Sequence, residues 1–138
     1  MLDTDHMSLL ERADSREAHQ IRNRLGHLLP SSGEVVTTIV TFEEEVRGWM
    51  ARLARSNSLS WQVENYQRLN RLLDNYRNII VLEFDEKAAL QFQTLFKTRI
   101  RVGTMDLKIA AIALAHDATL LSRNIRDFGK VPGLKVED

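Results

Sequence analysis

Hydrophobic residues follow two alternating patterns along the chain. Short runs of β-branched and aliphatic residues, at positions 35–40 and 79–82, are typical of strands that are buried on both faces of a sheet. Between these runs, apolar residues return every three or four positions, which predicts amphipathic helices. Strands that alternate with helices indicate an α/β fold, with a mostly parallel sheet and helices on both of its faces.

The same pattern predicts the bounds of the individual elements. Strands are expected at positions 1–3, 35–40, 79–82, 119–121 and 134–136. Helices are expected at positions 6–13, 15–28, 41–55, 60–76, 86–99 and 104–117, with a break near Asp14 and a turn at 30–33. We find no internal repeat and no linker, so residues 1–138 are predicted to form a single domain.

The composition narrows the class of protein. A hydrophobic fraction of 43% in 138 residues is enough for one folded core. The absence of cysteine excludes disulfides, thiolate zinc sites and a cysteine nucleophile. No apolar run approaches the roughly 20 residues that cross a bilayer, and no secretion signal is visible at the start of the chain. We therefore expect a cytoplasmic protein that does not enter a membrane.

Charge is balanced in number but not in distribution. The chain carries 19 basic and 19 acidic residues, yet positions 97–135 contain eight Lys or Arg residues against three Asp residues. Such a basic stretch can form a face that binds phosphate groups. A solvated charged surface explains the same feature equally well.

Several acidic and amide side chains follow the predicted strands. In open parallel sheets, ligands bind beyond the carboxyl ends of the strands. Asp3 follows the first strand, Glu44 lies in the helical turn after the second, and Asn124 and Asp127 follow the fourth. Asp106 begins the helix that precedes the fourth strand. Converging carboxylates repel one another unless a cation lies between them, and oxygen ligands without cysteine or clustered histidine favour Mg²⁺ or Mn²⁺ over Zn²⁺.

Each of these residues also has a local explanation. Glu44 fits a capping box that begins at Thr41, and Asp106 is favoured near a helix N-terminus by the helix dipole. Asp127 could be a turn or salt-bridge residue. An acid next to a buried strand, as Asp3 is, is costly unless it is paired or liganded. The argument for a metal site therefore depends on the joint placement of the acids.

Four segments of the chain resemble the motifs of VapC-type PIN-domain ribonuclease toxins. A Glu that stands four residues before Gly48 selects Glu44 over its neighbours, and Asp106 opens an Ile-Ala-Ala helix as in the third motif of the family. Ser122 stands where the family more often has Thr, and Asn124 stands where many members have an acid or Asn. The matching segments are LDTD at 2–5, VTFEEEVRG at 40–48, GTMDLKIAA at 103–111, and LSRNIRDF at 121–128 followed by VPGL at 131–134.

The resemblance implies a PIN-like three-layer sandwich with a five-stranded, mostly parallel sheet in the order 3-2-1-4-5. It implies an endoribonuclease that cuts tRNA or rRNA and is the toxin of a toxin–antitoxin module. A VapB-like antitoxin is then expected to hold it in check, with its C-terminal segment in or near the active-site groove. A homodimer is also implied.

The resemblance and the acid pattern together lead to a site hypothesis. Asp3, Glu44 and Asp106 are expected to bind Mg²⁺ or Mn²⁺, directly or through water, with Asn124 and Asp127 completing the site. The hydroxyl groups of Thr4 or Ser122 could hold the attacking water or a phosphate oxygen, although a backbone cap is the slightly favoured explanation for each. Arg123 and Arg126, together with Arg101 and Lys108, are candidates for contacts with RNA phosphates, or for plain solvated side chains.

Two other functions stay open at this point. Asp3-Thr4-Asp5 matches the Asp-x-Asp of some metal-dependent phosphoryl hydrolases, but the long apolar spacer and the lysine that usually follow are missing. The chain could also be a PIN-like binding module without activity. The histidines have no metal-ligand spacing, and Trp49 and Trp61 are expected to pack rather than to stack on bases.

Overall fold

The computed structural model describes residues 1–10, 16–20, 22–23, 26 and 34–138. The predicted break at Asp14 and the turn at 30–33 lie outside these residues. Within the predicted helix 15–28, the described residues are helical. In the described part of the chain, no helix combines the length and the apolar character needed to cross a membrane.

Helices make up most of the described chain. Besides the helical residues within 15–28, the described helices are α1 (Thr4–Leu10), α2 (Ile39–Ala54), α3 (Leu59–Arg77), α4 (Glu86–Lys97), α5 (Thr104–Ala115) and α6 (Ile125–Phe128). The strands are β1 (Val36–Thr38), β2 (Ile80–Leu82), β3 (Leu120–Leu121) and β4 (Val136–Glu137).

The strands pair in parallel, in two short sheets. Strand β1 pairs with β2, and β3 pairs with β4. The N-terminal segment lies between the two sheets: the Leu2 amide donates to the Val36 carbonyl over 2.8 Å, and Leu2 forms an isolated parallel bridge with Leu121. The regular ladders stay separate, so one sheet of five strands in the order 3-2-1-4-5 stays a prediction.

The prediction of a strand over 35–40 was too long, because helix α2 begins before that segment ends. The Thr41 amide donates to the Thr38 side-chain oxygen over 3.0 Å, which makes Thr38 the N-cap of α2. A capped helix N-terminus outweighs the β propensity of Ile39 and Val40, which form the first helical turn. The capping box at Thr41, which was the local alternative for Glu44, is therefore not formed, because the N-cap is Thr38.

Burial in the hydrophobic core holds helix α5 in position, and Asp106 lies in the first turn of this helix. This helix is apolar around most of its circumference, which is typical of a helix enclosed by the fold. Its residues Leu107 and 109–113 are buried, and the helix packs along α4. A second buried cluster joins Leu2 and Met7 to the inner face of α3.

Candidate functional site

The predicted acids from distant parts of the sequence act on one another around Asp106. The pKa of Asp106 is raised to about 6, first by burial and then by nearby negative charges. Those charges belong, in decreasing order of effect, to Glu44, Asp127 and Asp3. A side-chain hydrogen bond from Asn124 partly offsets them. The fold therefore brings several negative charges close to Asp106, and they make the ionised form of its carboxyl group less stable.

Asp3 is buried at the start of α1 and has local hydrogen bonds. The His6 backbone amide donates to Asp3 Oδ1 over 3.1 Å, and His6 Nδ1 lies 3.1 Å from the same oxygen. Asp3 thus caps α1, which is a structural role that the sequence analysis did not assign. Both contacts use Oδ1, so Oδ2 can accept another partner.

Thr4 and Glu44 connect α1 with α2. The Thr4 hydroxyl donates a short hydrogen bond to Glu44 Oε2. This bond is made to a side chain of another helix and is not the backbone cap that was the local alternative. Its contact orients one oxygen of Glu44.

Asn124 lies between two of the acids. Its Nδ2 donates to Asp106 Oδ2 over 3.3 Å, and a further side-chain hydrogen bond from Asn124 lowers the pKa of Asp127. The largest influence on Asp127 is Lys130, whose ammonium group donates to its carboxylate and lowers its pKa. Asp127 therefore has the salt bridge that was its local explanation, and its charge still acts on Asp106.

The other predicted contact residues differ in their placement. Ser122 is fully buried, and its hydroxyl accepts the Asn124 backbone amide over 3.0 Å. Its contact with a substrate stays a prediction. Arg126 is exposed, and its charge lowers the pKa of Asp127. Arg123 is exposed and forms no hydrogen bond or ion pair with another described residue.

The carboxylate oxygens of this site fit a hard divalent cation that keeps some of its water ligands, rather than an ion that is enclosed entirely by protein ligands. Within the described ranges, no three side chains of His, Cys, Asp or Glu lie close enough together to enclose a metal ion directly. Carboxylate oxygens that repel one another around a half-buried aspartate instead match an ion that keeps part of its own water shell.

The sequence analysis missed the role of Glu45. This residue is 6% exposed, and its carboxylate accepts the Tyr76 hydroxyl over 2.6 Å and the Ser8 hydroxyl over 3.0 Å. It ties α1 and α3 to α2 directly beside Glu44. Three consecutive glutamates give no signal in the sequence for which one is buried.

The PIN domain family matches residues 1–134 of the chain. A ribonuclease VapC1 of Haemophilus influenzae (strain R2866) is 26% identical over 123 residues, which are 86% of this chain and 83% of that protein. A ribonuclease VapC1 of Rickettsia felis is 48% identical over 42 residues. That match covers 30% of this chain and 31% of the length of the rickettsial protein.

Solved structures with the same fold include VapBC complexes. VapBC-1 from nontypeable Haemophilus influenzae superposes with a TM-score of 0.76 at 25% identity, covering 100% of this chain and 96% of that one. VapBC2 from Rickettsia felis, bound to a DNA fragment from its promoter, superposes with a TM-score of 0.73 at 23% identity. The second match covers 99% of this chain and 96% of that one, and it shows the fold alone.

Proposed function

Because this chain belongs to the PIN domain family, we propose that it is a metal-dependent endoribonuclease and the toxin component of a VapBC-like toxin–antitoxin module. The observation that carries the proposal is the environment of Asp106, where burial and then the charges of acids from separate chain segments raise its pKa to about 6. The names of the matching ribonucleases support the same activity.

The residues of the proposed site divide into ligands and positioning groups. Asp3, Glu44 and Asp106 would hold Mg²⁺ or Mn²⁺, in part through water. When bound, the ion neutralises charge on the scissile phosphate and lowers the pKa of a bound water. Thr4 orients Glu44. Asn124 orients Asp106.

The remaining predicted residues stay in the proposal with narrower roles. Asp127 adds negative charge at Asp106 while Lys130 holds its carboxylate. Ser122 fixes the backbone of Asn124 and thereby its amide group. Arg123 and Arg126 are exposed near this edge and would contact RNA phosphates, which position a strand without reading its sequence.

Partners and the finer fold belong to the same proposal. The substrate class is tRNA or rRNA, and a VapB-like antitoxin is the proposed inhibitor, since the structural neighbours are VapBC complexes. We propose a homodimer in the cytoplasm and one PIN domain over residues 1–138. The hydrogen bonds of Leu2 to Val36 and of Leu121 to Met1 support a five-stranded sheet in the order 3-2-1-4-5.

Replacing Asp106 or Asp3 by Asn tests the activity. Each variant should lose cleavage of tRNA or rRNA by at least about 100-fold in Mg²⁺, because one charge that would hold the ion is removed. The measurement is the rate of fragment formation on purified total tRNA and rRNA, with circular dichroism to establish that each variant is folded. Asp117→Asn, at the other end of α5, is the matched control and should cleave like the wild type. Full activity in both site variants would end the proposal.

A further inference from the structure

A cavity of about 290 Å³ opens beside Glu44, where α1, α2 and α3 meet. Thr4 and Glu44, which belong to the proposed site, line one part of it, and Arg52, Arg68 and Arg71 line another. Glu44 and Arg52 are eight residues apart on α2, which a helix spans in about 12 Å. The cavity therefore changes from acidic to basic character over a short distance from the proposed metal ligands.

Trp49 holds two of these arginines in place. The guanidinium carbon of Arg52 lies 4.6 Å from the centroid of the Trp49 ring, and that of Arg68 lies 5.9 Å from it. A cation–π contact favours the charged group and leaves its N–H donors available for other acceptors. The Trp49 ring is half-buried against the hydrophobic cluster that contains Leu2, and this packing fixes the position of the ring. Trp49 thus packs, as predicted, and supports cations rather than presenting a bare face to a base.

The charge of the three arginines is only partly balanced. Arg68 pairs with Glu64 over 3.0 Å, in an exposed ion pair that contributes little. Arg52 and Arg71 form no ion pair with any other residue in the described ranges. Guanidinium groups gathered in a cavity favour an anion with several acceptor oxygens, and phosphate matches their donor geometry.

We infer that this cavity is a phosphate-binding subsite for the RNA, which holds a backbone phosphate next to the scissile bond through Arg52 and Arg71. The inference rests on the proposed function. The volume, near the lower end for ligand sites, suits a short piece of a strand. A strand whose scissile phosphate lies at Glu44 and Asp106 carries further phosphates at regular spacing, and the cavity continues directly from Glu44. This continuity favours RNA over an acidic segment of an antitoxin.

Binding of a fluorescein-labelled, mixed-sequence single-stranded RNA tests the subsite without cleavage. The full chain carrying Asp106→Asn is compared with the same chain that also carries Arg52→Gln and Arg71→Gln. We expect the added changes to weaken binding about tenfold at low salt and to reduce the slope of log K against log salt by about 0.7, because the contact with one phosphate is lost. Arg77→Gln, on α3 and outside the cavity, is the matched control and should leave both values unchanged.

Cleavage kinetics provide a second measurement. In the chain with Asp106 intact, Arg52→Gln with Arg71→Gln should raise KM about tenfold and change kcat by less than about twofold, because the arginines bind the strand away from the reacting atoms. Unchanged RNA binding, salt slope and KM would overturn the subsite. If the two arginine substitutions leave RNA binding unchanged but weaken the complex with the antitoxin, the cavity binds a protein segment, and the RNA subsite is overturned as well.

The two proposals fail in different ways. A wild-type chain that binds RNA through Arg52 and Arg71 but does not cleave it would end the nuclease proposal and leave the subsite standing. A chain that cleaves RNA with a KM that does not depend on these arginines would end the subsite proposal and leave the nuclease proposal standing.

Discussion

Asp106 lies at the start of the buried helix α5, surrounded by the negative charges of other acids. Its pKa is raised from 3.8 to about 6, so the folded protein holds this proton more tightly than the unfolded chain does. The free energy of unfolding therefore falls as the pH rises from about 4 to about 6, and the loss is complete above that range. The side chain proposed to bind the cation thus destabilises the metal-free protein at neutral pH.

Asp106→Asn should therefore stabilise the protein in EDTA. At about pH 7.5 we expect the free energy of unfolding to rise by about 1 kcal/mol, a value reduced for solvent screening of a half-buried group. The gain should shrink towards about pH 4, where the wild-type carboxyl is already protonated. Urea unfolding monitored by circular dichroism at several pH values measures it.

Asp117→Asn, two residues beyond the C-terminal end of α5, provides the opposite electrostatic case. Lys135 lowers the pKa of Asp117, so its removal should not stabilise the protein at any pH. If Asp106→Asn does not raise the free energy of unfolding at neutral pH, or raises it more in acid, then the surrounding charges do not destabilise ionised Asp106.

The spacing of residues predicted which acids belong together, but not how each is held. Asp3, Glu44 and Asp106 were selected from strand ends and motif offsets, and the structure places the charges of the first two within reach of the third. Their role as metal ligands stays a prediction. The capping of α1 by Asp3 is a local hydrogen bond to the His6 amide, a signal that the sequence analysis overlooked. The burial of Glu45 could not be predicted, because it depends on the packing of α1 and α3 against α2.

Three helices meet at Glu45. Its carboxylate accepts hydroxyl groups from Ser8 on α1 and from Tyr76 on α3. A buried carboxylate is costly unless donors satisfy it, so these bonds fix how α1 and α3 lie against α2. Because Glu44 is the next residue and contacts Thr4 on α1, the same packing sets the geometry of the proposed site.

Tyr76→Phe should lower the free energy of unfolding by about 1–2 kcal/mol, because Glu45 loses a donor inside the protein. Tyr66→Phe is the matched control on the same helix: Tyr66 is 60% exposed, and its change should stay within about 0.5 kcal/mol. Urea unfolding at constant pH measures both. Equal effects of the two substitutions would mean that the Tyr76 bond to Glu45 does not stabilise the packing.

The elements were predicted better in their order than in their bounds. Helix α5 and strand β2 were predicted within two residues, since each has a strong apolar pattern and a clear turn beside it. The failure at Ile39 and Val40 has a local cause, because their β-branched side chains predict a strand while the Thr38 cap starts a helix. Pattern alone does not decide which of the two effects is larger.

For the whole molecule, the equal number of acidic and basic residues conceals a clear separation of charge. Acids converge at Asp106, while the arginines around Trp49 adjoin Glu44 on one side, and Arg126 lies close to Asp127 on the other. A polyanion with a bound divalent cation complements this arrangement, since the cation meets the acids and the phosphates meet the arginines. The sequence predicted the basic residues of 97–135 but not the arginine cavity, whose members come from two helices.

A divalent cation that binds only the folded protein should stabilise the whole domain. At about 100 times its Kd, Mn²⁺ would add about 2.7 kcal/mol, which raises the Tm of a domain of this size on the order of 10 °C. Asp106→Asn should lose most of this shift, although it is more stable in EDTA, and Asp117→Asn should keep it. Differential scanning fluorimetry with and without Mn²⁺ measures all three proteins. Asp106→Asn should thus raise stability in EDTA and reduce the rise in Tm that Mn²⁺ causes, a combination that is expected of a metal ligand and not of a residue that only stabilises the fold. An equal rise in Tm with Mn²⁺ in all three proteins would place the ion elsewhere.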